Sequence, residues 1–324
     1  MLKTPTYKSR FLSYLEERTA VTEPKQLYEP IAYILGLGGK RLRPILALMG
    51  ADVFGASWEK ALDAALAVEV FHNFTLLHDD IMDGAPLRRS QPTVHEKWDV
   101  NTAILSGDAM LILSYQYLES YEGNIYKKLM HVFNQTALEV CEGQQYDMDF
   151  ESEAQVSEAS YLEMIRLKTS VLVAAALKMG AIIAEAPEEQ AQKIYDFGLN
   201  LGIAFQLQDD YLDAFGDPKT FGKQVGGDII ENKKTYLYIQ ALKAASAEDR
   251  SKLLQLFGQH LEDNTTKIAQ VKALFEKTAA DRATQQAIQH YTEKAFACLQ
   301  KMDISEEKRM ELQGFGEALM VRKV

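Results

Sequence analysis

From residue 43 to residue 257, apolar residues recur three and four positions apart, the spacing of one face of an α-helix. No stretch alternates apolar and polar residues as a half-buried strand requires. The pattern predicts helices over 43–54, 58–78, 101–120, 127–149, 161–185, 190–213 and 235–257, with Ser57 as the N-cap of the second. The last sixty or so residues, rich in Ala, Gln, Lys and Glu, also read as helix. Breakers fall at 36–44, 84–92, 123–124, 186–187 and 216–228, and no low-complexity linker divides the chain. The expectation is an all-α fold: one domain over residues 1–324, a large bundle whose helices of about 30 Å enclose a deep central cavity.

Composition narrows the function. Glycine (19) and proline (8) are scarce, against a turn-rich β sandwich. A formal charge of −11 lacks the basic footprint of a nucleic-acid binder. Two cysteines, Cys141 and Cys298, make neither a disulfide framework nor a cysteine zinc site and read as buried small hydrophobes. The N-terminus lacks a signal-peptide pattern, and the most apolar window, 171–184, is too short to span a bilayer and carries Lys178. A soluble, cytoplasmic protein is expected.

The chemistry begins with a repetition. Asp79-Asp80-Ile81-Met82-Asp83 ends one apolar helix and Asp209-Asp210-Tyr211-Leu212-Asp213 ends another. With Asp at about one residue in seventeen, chance supplies one D-D-x-x-D in roughly 7% of such chains, and two far less often. Asp79 and Asp83 are i,i+4 neighbours on a helix, as are Asp209 and Asp213, and like charges there are destabilising. Acids at a helix C-terminus also oppose the macrodipole, which weakens the plain reading of solvated surface charge. Mg2+ offsets that cost: it takes one or two carboxylates, keeps waters and completes its shell with phosphate oxygens. Two such clusters suggest several Mg2+ ions clamping one diphosphate.

Cations accompany the acids. Gly38-Gly39-Lys40-Arg41-Leu42-Arg43-Pro44 presents three before a helix, Arg88-Arg89 follows the first cluster, and Lys223 and Lys233 follow the second. Arginine suits bidentate phosphate binding and lysine acts as a point charge. Taken singly, each is an ordinary surface charge; their repeated place beside Asp clusters favours diphosphate binding.

Glu69-Val70-Phe71-His72-Asn73-Phe74-Thr75-Leu76-Leu77-His78-Asp79-Asp80, leading to Leu87-Arg88-Arg89, resembles the first aspartate-rich region of the trans-isoprenyl diphosphate synthases (polyprenyl synthetases). Phe205-Gln206-Leu207-Gln208-Asp209-Asp210-Tyr211-Leu212-Asp213 resembles the second. The GGKRLRP turn, Gly143-Gln144, Lys168-Thr169 and Gly222-Lys223 match further signatures in order, so the likeness covers about residues 35 to 237. It implies that Asp79, Asp83 and Asp209 are principal Mg2+ ligands, with Asp80, Asp210 and Asp213 in supporting or water-mediated roles, and three ions with substrate bound. Arg88, Lys168, Lys223 and Lys233 would neutralise an allylic prenyl diphosphate. Lys40, Arg43, His72 and Arg89 would hold isopentenyl diphosphate. Thr169 and Gln206 would present oxygens to the allylic cation, and released pyrophosphate would take the proton. A homodimer is implied, with the apolar faces of 101–120 and 127–149 contributing. From the residues alone, Thr169 reads as a helix-interior threonine bonded to its own backbone and Gln206 as an ordinary polar position. A lone histidine on an apolar helix is usually a core residue, but His72 sits about two turns before Asp79 and so can face the same chamber, which favours phosphate binding.

Three positions depart from the family pattern: Ser90 and Asn232 where glycine is common, and Gln224 where proline is common. The first cluster has the short D-D-x-x-D spacing. In this family, residues one and two turns before the first Asp floor a product tunnel. Phe74 beside small Thr75 resembles the pattern of geranylgeranyl (C20) synthases, whereas Phe71 closing the tunnel earlier would give farnesyl (C15); both rings also suit plain core packing. Two rivals are a class I terpene cyclase and a non-catalytic partner subunit. The first has no use for the GGKRLRP turn, and the second usually loses an Asp cluster.

Overall fold

The computed structural model describes residues 3–217, 225–258 and 264–320. Sixteen α-helices occupy them: α1 Thr4–Arg18, α2 Lys25–Gly36, α3 Leu42–Val53, α4 Leu62–Met82, α5 Val94–Lys97, α6 Val100–Leu118, α7 Gly123–Ser152, α8 Glu158–Ile165, α9 Val171–Ile183, α10 Glu188–Phe215, α11 Gly227–Ile230, α12 Tyr236–Ala244, α13 Ala247–Phe257, α14 Asn264–Lys277, α15 Ala280–Gln300 and α16 Glu306–Met320. The all-α expectation holds, with one addition. Leu87–Arg88 and Gln91–Pro92 pair as a small antiparallel hairpin, β1 and β2. Its two loop residues, Arg89 and Ser90, both have positive φ (54° and 62°), as the type I′ turn demands. That explains why glycine suits position 90.

Helix boundaries shift in instructive ways. Ser57 precedes a single 3-10 turn, Trp58–Ala61, and α4 starts only at Leu62. The Ser57 hydroxyl donates to the Glu59 carboxylate and caps no backbone N–H. The expected helix 235–257 breaks at Ala245–Ser246, where the Ser246 hydroxyl accepts from the Asp249 N–H at 3.1 Å and starts α13. Between α8 and α9 lies a π turn, Arg166–Ser170.

The chain resolves into two compact units, Met1–Gln135 with Ala175–Ile194, and Thr136–Ala174 with Tyr195–Val324; the boundaries fall within α7, α9 and α10 and not in linkers. In the first, α4 is the core element, packed chiefly on α6 and α3. Ala64, Ala65, Leu66, Ala67, Val68, Val70 and Phe71 are all 0–1% exposed, so this stretch of α4 is buried all round rather than striped, with Glu69 and Asn73 as buried polar residues within it. Its small N-terminal residues admit neighbouring helices closely. In the second unit, Tyr161, Ile203, Leu207, Leu237, Val271 and Phe275 anchor one apolar cluster. Among the described residues, no helix is long and apolar enough to cross a membrane.

Candidate active site

Helix α4 ends in its acids. Asp79 and Asp80 lie in the last turn and Asp83 is the C-cap, followed by Gly84 in the left-handed conformation. Ala85 N–H bonds Asp80 O (2.9 Å) and Gly84 N–H bonds Ile81 O (3.2 Å), the paired closure of a Schellman motif. Asp83 is exposed and Asp79 half-buried, while Asp80 turns inward. Arg88, on β1, grips Asp80 with two nitrogens, Nε to Oδ2 and Nη2 to Oδ1, each 2.7 Å, and its Nη2 lies 3.6 Å from Asp79. Burial raises the Asp80 pKa even though Arg88 opposes the shift.

Seven residues before Asp79 stands His72. Seven residues are nearly two full turns, so the two share a face of α4 about 10 Å apart along the axis. Arg43 Nη1 lies 3.1 Å from His72 Nε2. Arginine only donates, so Nε2 is the acceptor and the imidazole proton sits on Nδ1. Burial, then the charges of Arg43, Arg89, Arg88 and Arg41, hold His72 well below the ordinary histidine pKa, hence neutral. Burial lowers Arg43 to about 10 against the pull of Glu69. Its Nε is buried without a protein partner. The Arg89 guanidinium donates to Gly38 O, bringing the hairpin to the GGKRLRP turn. Lys40 is exposed on that turn. Of its three cations, however, Arg41 is not presented: it is buried against Glu69. Phe71 is 1% exposed, its ring against Phe74 (5.6 Å between centroids) and Phe133 (5.3 Å); Phe133 in turn meets Tyr115 (5.0 Å). Thr75 bonds its own backbone, Oγ1 to His72 O at 2.8 Å.

The second unit assembles its residues on α10, the π turn and the 225–235 segment. Asp210 is buried; Tyr161 donates its hydroxyl to Oδ2, and Gln206 Nε2 donates to Oδ1 at 2.9 Å. Burial pushes Asp210 up to about 7, the Tyr161 and Gln206 bonds opposing and Asp209 and Asp213 adding to the rise. Thr169 Oγ1 donates to Gln206 Oε1 at 3.2 Å, so Thr169, Gln206 and Asp210 form one chain of hydrogen bonds. Lys168 Nζ lies 2.5 Å from Asp147. Asp213 Oδ2 accepts from the Asp228 N–H at 3.0 Å. Burial, with Asp210 and Asp213, raises the Asp228 carboxyl well above its usual range. Burial works against the Lys233 charge, but Glu231 (3.0 Å) and Asp228 outweigh it and raise its pKa. Asn232, where glycine was expected, has φ 60°, a conformation asparagine tolerates better than most residues. Lys223, with Gly222 and Gln224, lies outside the described residues.

The π turn has an evident cause. A Cβ at Gly143 of α7 would collide with the backbone of Leu167 and Lys168, and one at Gly202 of α10 would meet Ser170. Two glycines thus admit the wider turn that carries Lys168 and Thr169. Sequence reasoning missed this turn, Asp147, Tyr161, Asp228 and the inward role of Arg41. Gly143 was the one available signal.

Fold and site together define an all-helical protein with acid-tipped helices, a cluster of cations around His72 on one of them and a polar chain beside the other. Residues 24–277 match the polyprenyl synthetase family. A geranylgeranyl diphosphate synthase of Methanosarcina mazei is 39% identical over 281 residues, 86% of this chain and 85% of that protein. A crystal structure of a geranylgeranyl pyrophosphate synthase is 52% identical, superposes with a TM-score of 0.96 and is covered completely in both directions. The geranylgeranyl pyrophosphate synthase of Corynebacterium glutamicum, complexed with isoprenyl diphosphate and magnesium, is 29% identical with a TM-score of 0.87, over 99% of this chain and 98% of that one. The chain therefore belongs to the polyprenyl synthetase family and is a prenyltransferase of isoprenoid biosynthesis that elongates prenyl chains.

Proposed function

We propose that the enzyme joins isopentenyl diphosphate head-to-tail (1′-4) to an allylic diphosphate, with Mg2+, and releases all-trans geranylgeranyl (C20) diphosphate, farnesyl (C15) being the nearest alternative. The observation that carries this reading is the pairing on α4: a neutral His72 bonded to Arg43, with the Arg43 Nε left for an anion, about 10 Å along the same face from Asp79. One helix thereby bears a diphosphate pocket and an acidic tip, the two needs of a two-diphosphate reaction.

The donor set fits Mg2+. Each helix end offers carboxylates at i,i+4, Asp79 with Asp83 and Asp209 with Asp213, the hard oxygen donors that such an ion shares with water and phosphate. When bound, up to three such ions act as Lewis acids that make diphosphate a competent leaving group. Asp80 and Asp210 support: Asp80 fixes the Arg88 fork, and Asp210 orients Gln206. Arg88, Lys168, Lys223 and Lys233 neutralise the allylic diphosphate, and Lys40, Arg43, His72 and Arg89 bind isopentenyl diphosphate.

The C1–O bond of the allylic substrate breaks, its electrons leaving with pyrophosphate. The isopentenyl double bond then attacks C1, and pyrophosphate accepts the proton lost from the new cation. Thr169 gives its hydroxyl hydrogen to Gln206, so its oxygen lone pairs remain available to positive charge. A dipole fixed in advance in this way stabilises a developing cation without reorganisation cost. For chain length, the Phe74, Phe71, Phe133 and Tyr115 rings form one chain of tilted and edge-to-face contacts, which we read as the tunnel floor. The names of the relatives support C20.

The matched residues draw on both units, and we read the chain as a single synthase domain in the cytoplasm. Leu105 (61% exposed) and Ile112 (59%) on α6, and Leu138 (62%) on α7, are large apolar side chains that suit a homodimer contact. Product analysis tests the function. Purified protein with Mg2+, isopentenyl diphosphate and dimethylallyl, geranyl or farnesyl diphosphate is expected to yield a C20 prenol after dephosphorylation. Failure to condense any starter would overturn the reading; longer prenols would overturn the role given to the aromatic cluster.

A further inference from the structure

We propose that Arg41 and Glu69 form a buried positioning pair that fixes the 38–43 turn and so sets the affinity for isopentenyl diphosphate. This rests on the reading of that turn as the isopentenyl diphosphate site.

Arg41 differs from its neighbours in burial and in the contacts of its side chain. Gly39 and Lys40 are exposed, whereas Arg41 is 5% exposed. Its φ of 55° is left-handed, a conformation that long side chains seldom adopt without compensation. The compensation lies beneath it. Arg41 Nη1 donates to Glu69 Oε1, and Nη2 donates to the Leu35 carbonyl at the end of α2. Asn73 completes the arrangement, its Nδ2 donating to Glu69 Oε1 (3.0 Å) and to the Glu69 carbonyl (2.8 Å).

With Glu69 against it, the Arg41 charge is neutralised inside the protein and is not offered to an anion. What the pair supplies is orientation. Glu69 and His72 lie one turn apart on α4, and Arg41 and Arg43 two residues apart on the turn. The same stretch of helix therefore holds the turn twice, once through a structural pair and once through the pair placed in the pocket. On the outer side, Arg89 donates to Gly38 O and Lys8 Nζ to Gly39 O at 3.1 Å. Four side chains from three parts of the chain, Glu69 and His72 on α4, Arg89 on the hairpin and Lys8 on α1, thus bear on the six residues 38–43, and Arg41 is the residue of the turn that reaches inward to Glu69. Buried ion pairs contribute little net stability compared with apolar replacements, and their best-attested use is to specify one geometry.

The test replaces the pair together, because removing one partner would strand the other charge in the core. Arg41→Met with Glu69→Leu is expected to keep a melting temperature close to wild type. Its KM for isopentenyl diphosphate should rise about tenfold, while kcat and the KM for farnesyl diphosphate stay within about twofold. Arg41→Lys keeps the charge but not the fork, and a smaller rise of about threefold is expected. Arg43→Ala, assayed alongside, separates the two levels. If it leaves the KM for isopentenyl diphosphate unchanged, the reading of the turn fails. If it raises that KM while the folded double variant does not, the positioning role fails. Equal rises in both KM values with a lowered melting temperature would reduce the pair to general support and overturn the proposal.

Discussion

The two D-D-x-x-D clusters share a sequence pattern and differ in how their charge is balanced. At the end of α4, the inward carboxylate, Asp80, meets a two-nitrogen guanidinium fork from Arg88, and Asp83 stands in solvent. At the end of α10, the inward carboxylate, Asp210, is bonded by neutral donors, Tyr161 and Gln206, and sits in the field of Asp209, Asp213 and Asp228. The first cluster meets a guanidinium at its inward carboxylate; at the second, burial and neighbouring carboxylates raise Asp210 and Asp228, with Lys233 opposing the rise at Asp228. Identical letters thus encode a carboxylate held by a cation in one place and, in the other, one held by neutral donors whose pKa burial pushes up to about 7. The environment, not the motif, sets the electrostatic state.

The largest expected effect bears on what the clusters share. EDTA should abolish condensation, and Asp79→Asn or Asp209→Asn should each lower kcat by about 10²–10³-fold, measured with isopentenyl and farnesyl diphosphates. An order-of-magnitude gap between the two variants would break the symmetry of role. Next in size, Asp80→Asn should destabilise the protein by about 1–2 kcal/mol in urea titrations, allowing for the partial exposure of Arg88. Asp210→Asn should cost less at pH 6, because the native carboxyl already favours its proton there.

The pH response sharpens the contrast. Asp210 titrates near 7 when folded against its ordinary 3.8, so between those values the folded protein holds a proton the unfolded chain has released. Metal-free stability should therefore fall as pH rises from 5 to 7.5, and Asp210→Asn should flatten that slope in melting curves. The smallest effect concerns His72, whose folded pKa lies below its ordinary 6.5. It is neutral throughout assay conditions, so the KM for isopentenyl diphosphate should show no histidine step between pH 6.5 and 8. Its linked contribution to stability is complete above pH 6.5 and is lost as pH falls below it.

The helical class, the Asp clusters and most cations were legible in the sequence because each follows from spacing along a single helix or turn. Helix phase places Asp79 and His72 on one face, and the structure brings Arg43 to His72. What the sequence withheld depends on contacts between distant segments. Arg41 reads as a third phosphate-binding cation until Glu69 is found beneath it, 28 residues away. Asp147, Tyr161 and Asp228 carry no local pattern tying them to Lys168, Asp210 or Asp213. Departures from family glycines at Ser90 and Asn232 became intelligible only with their positive φ angles.

The turn at Arg166–Ser170 holds one more residue than an α turn, and its closing N–H, from Val171, reaches back five positions to Arg166. One residue of an α-helix is about 100° of rotation. Insertion and deletion, rather than substitution, are therefore the edits to which this point is sensitive. Excising a single residue here would restore a regular ladder and re-phase Lys168 and Thr169 against everything C-terminal to them, with no change in composition beyond one side chain.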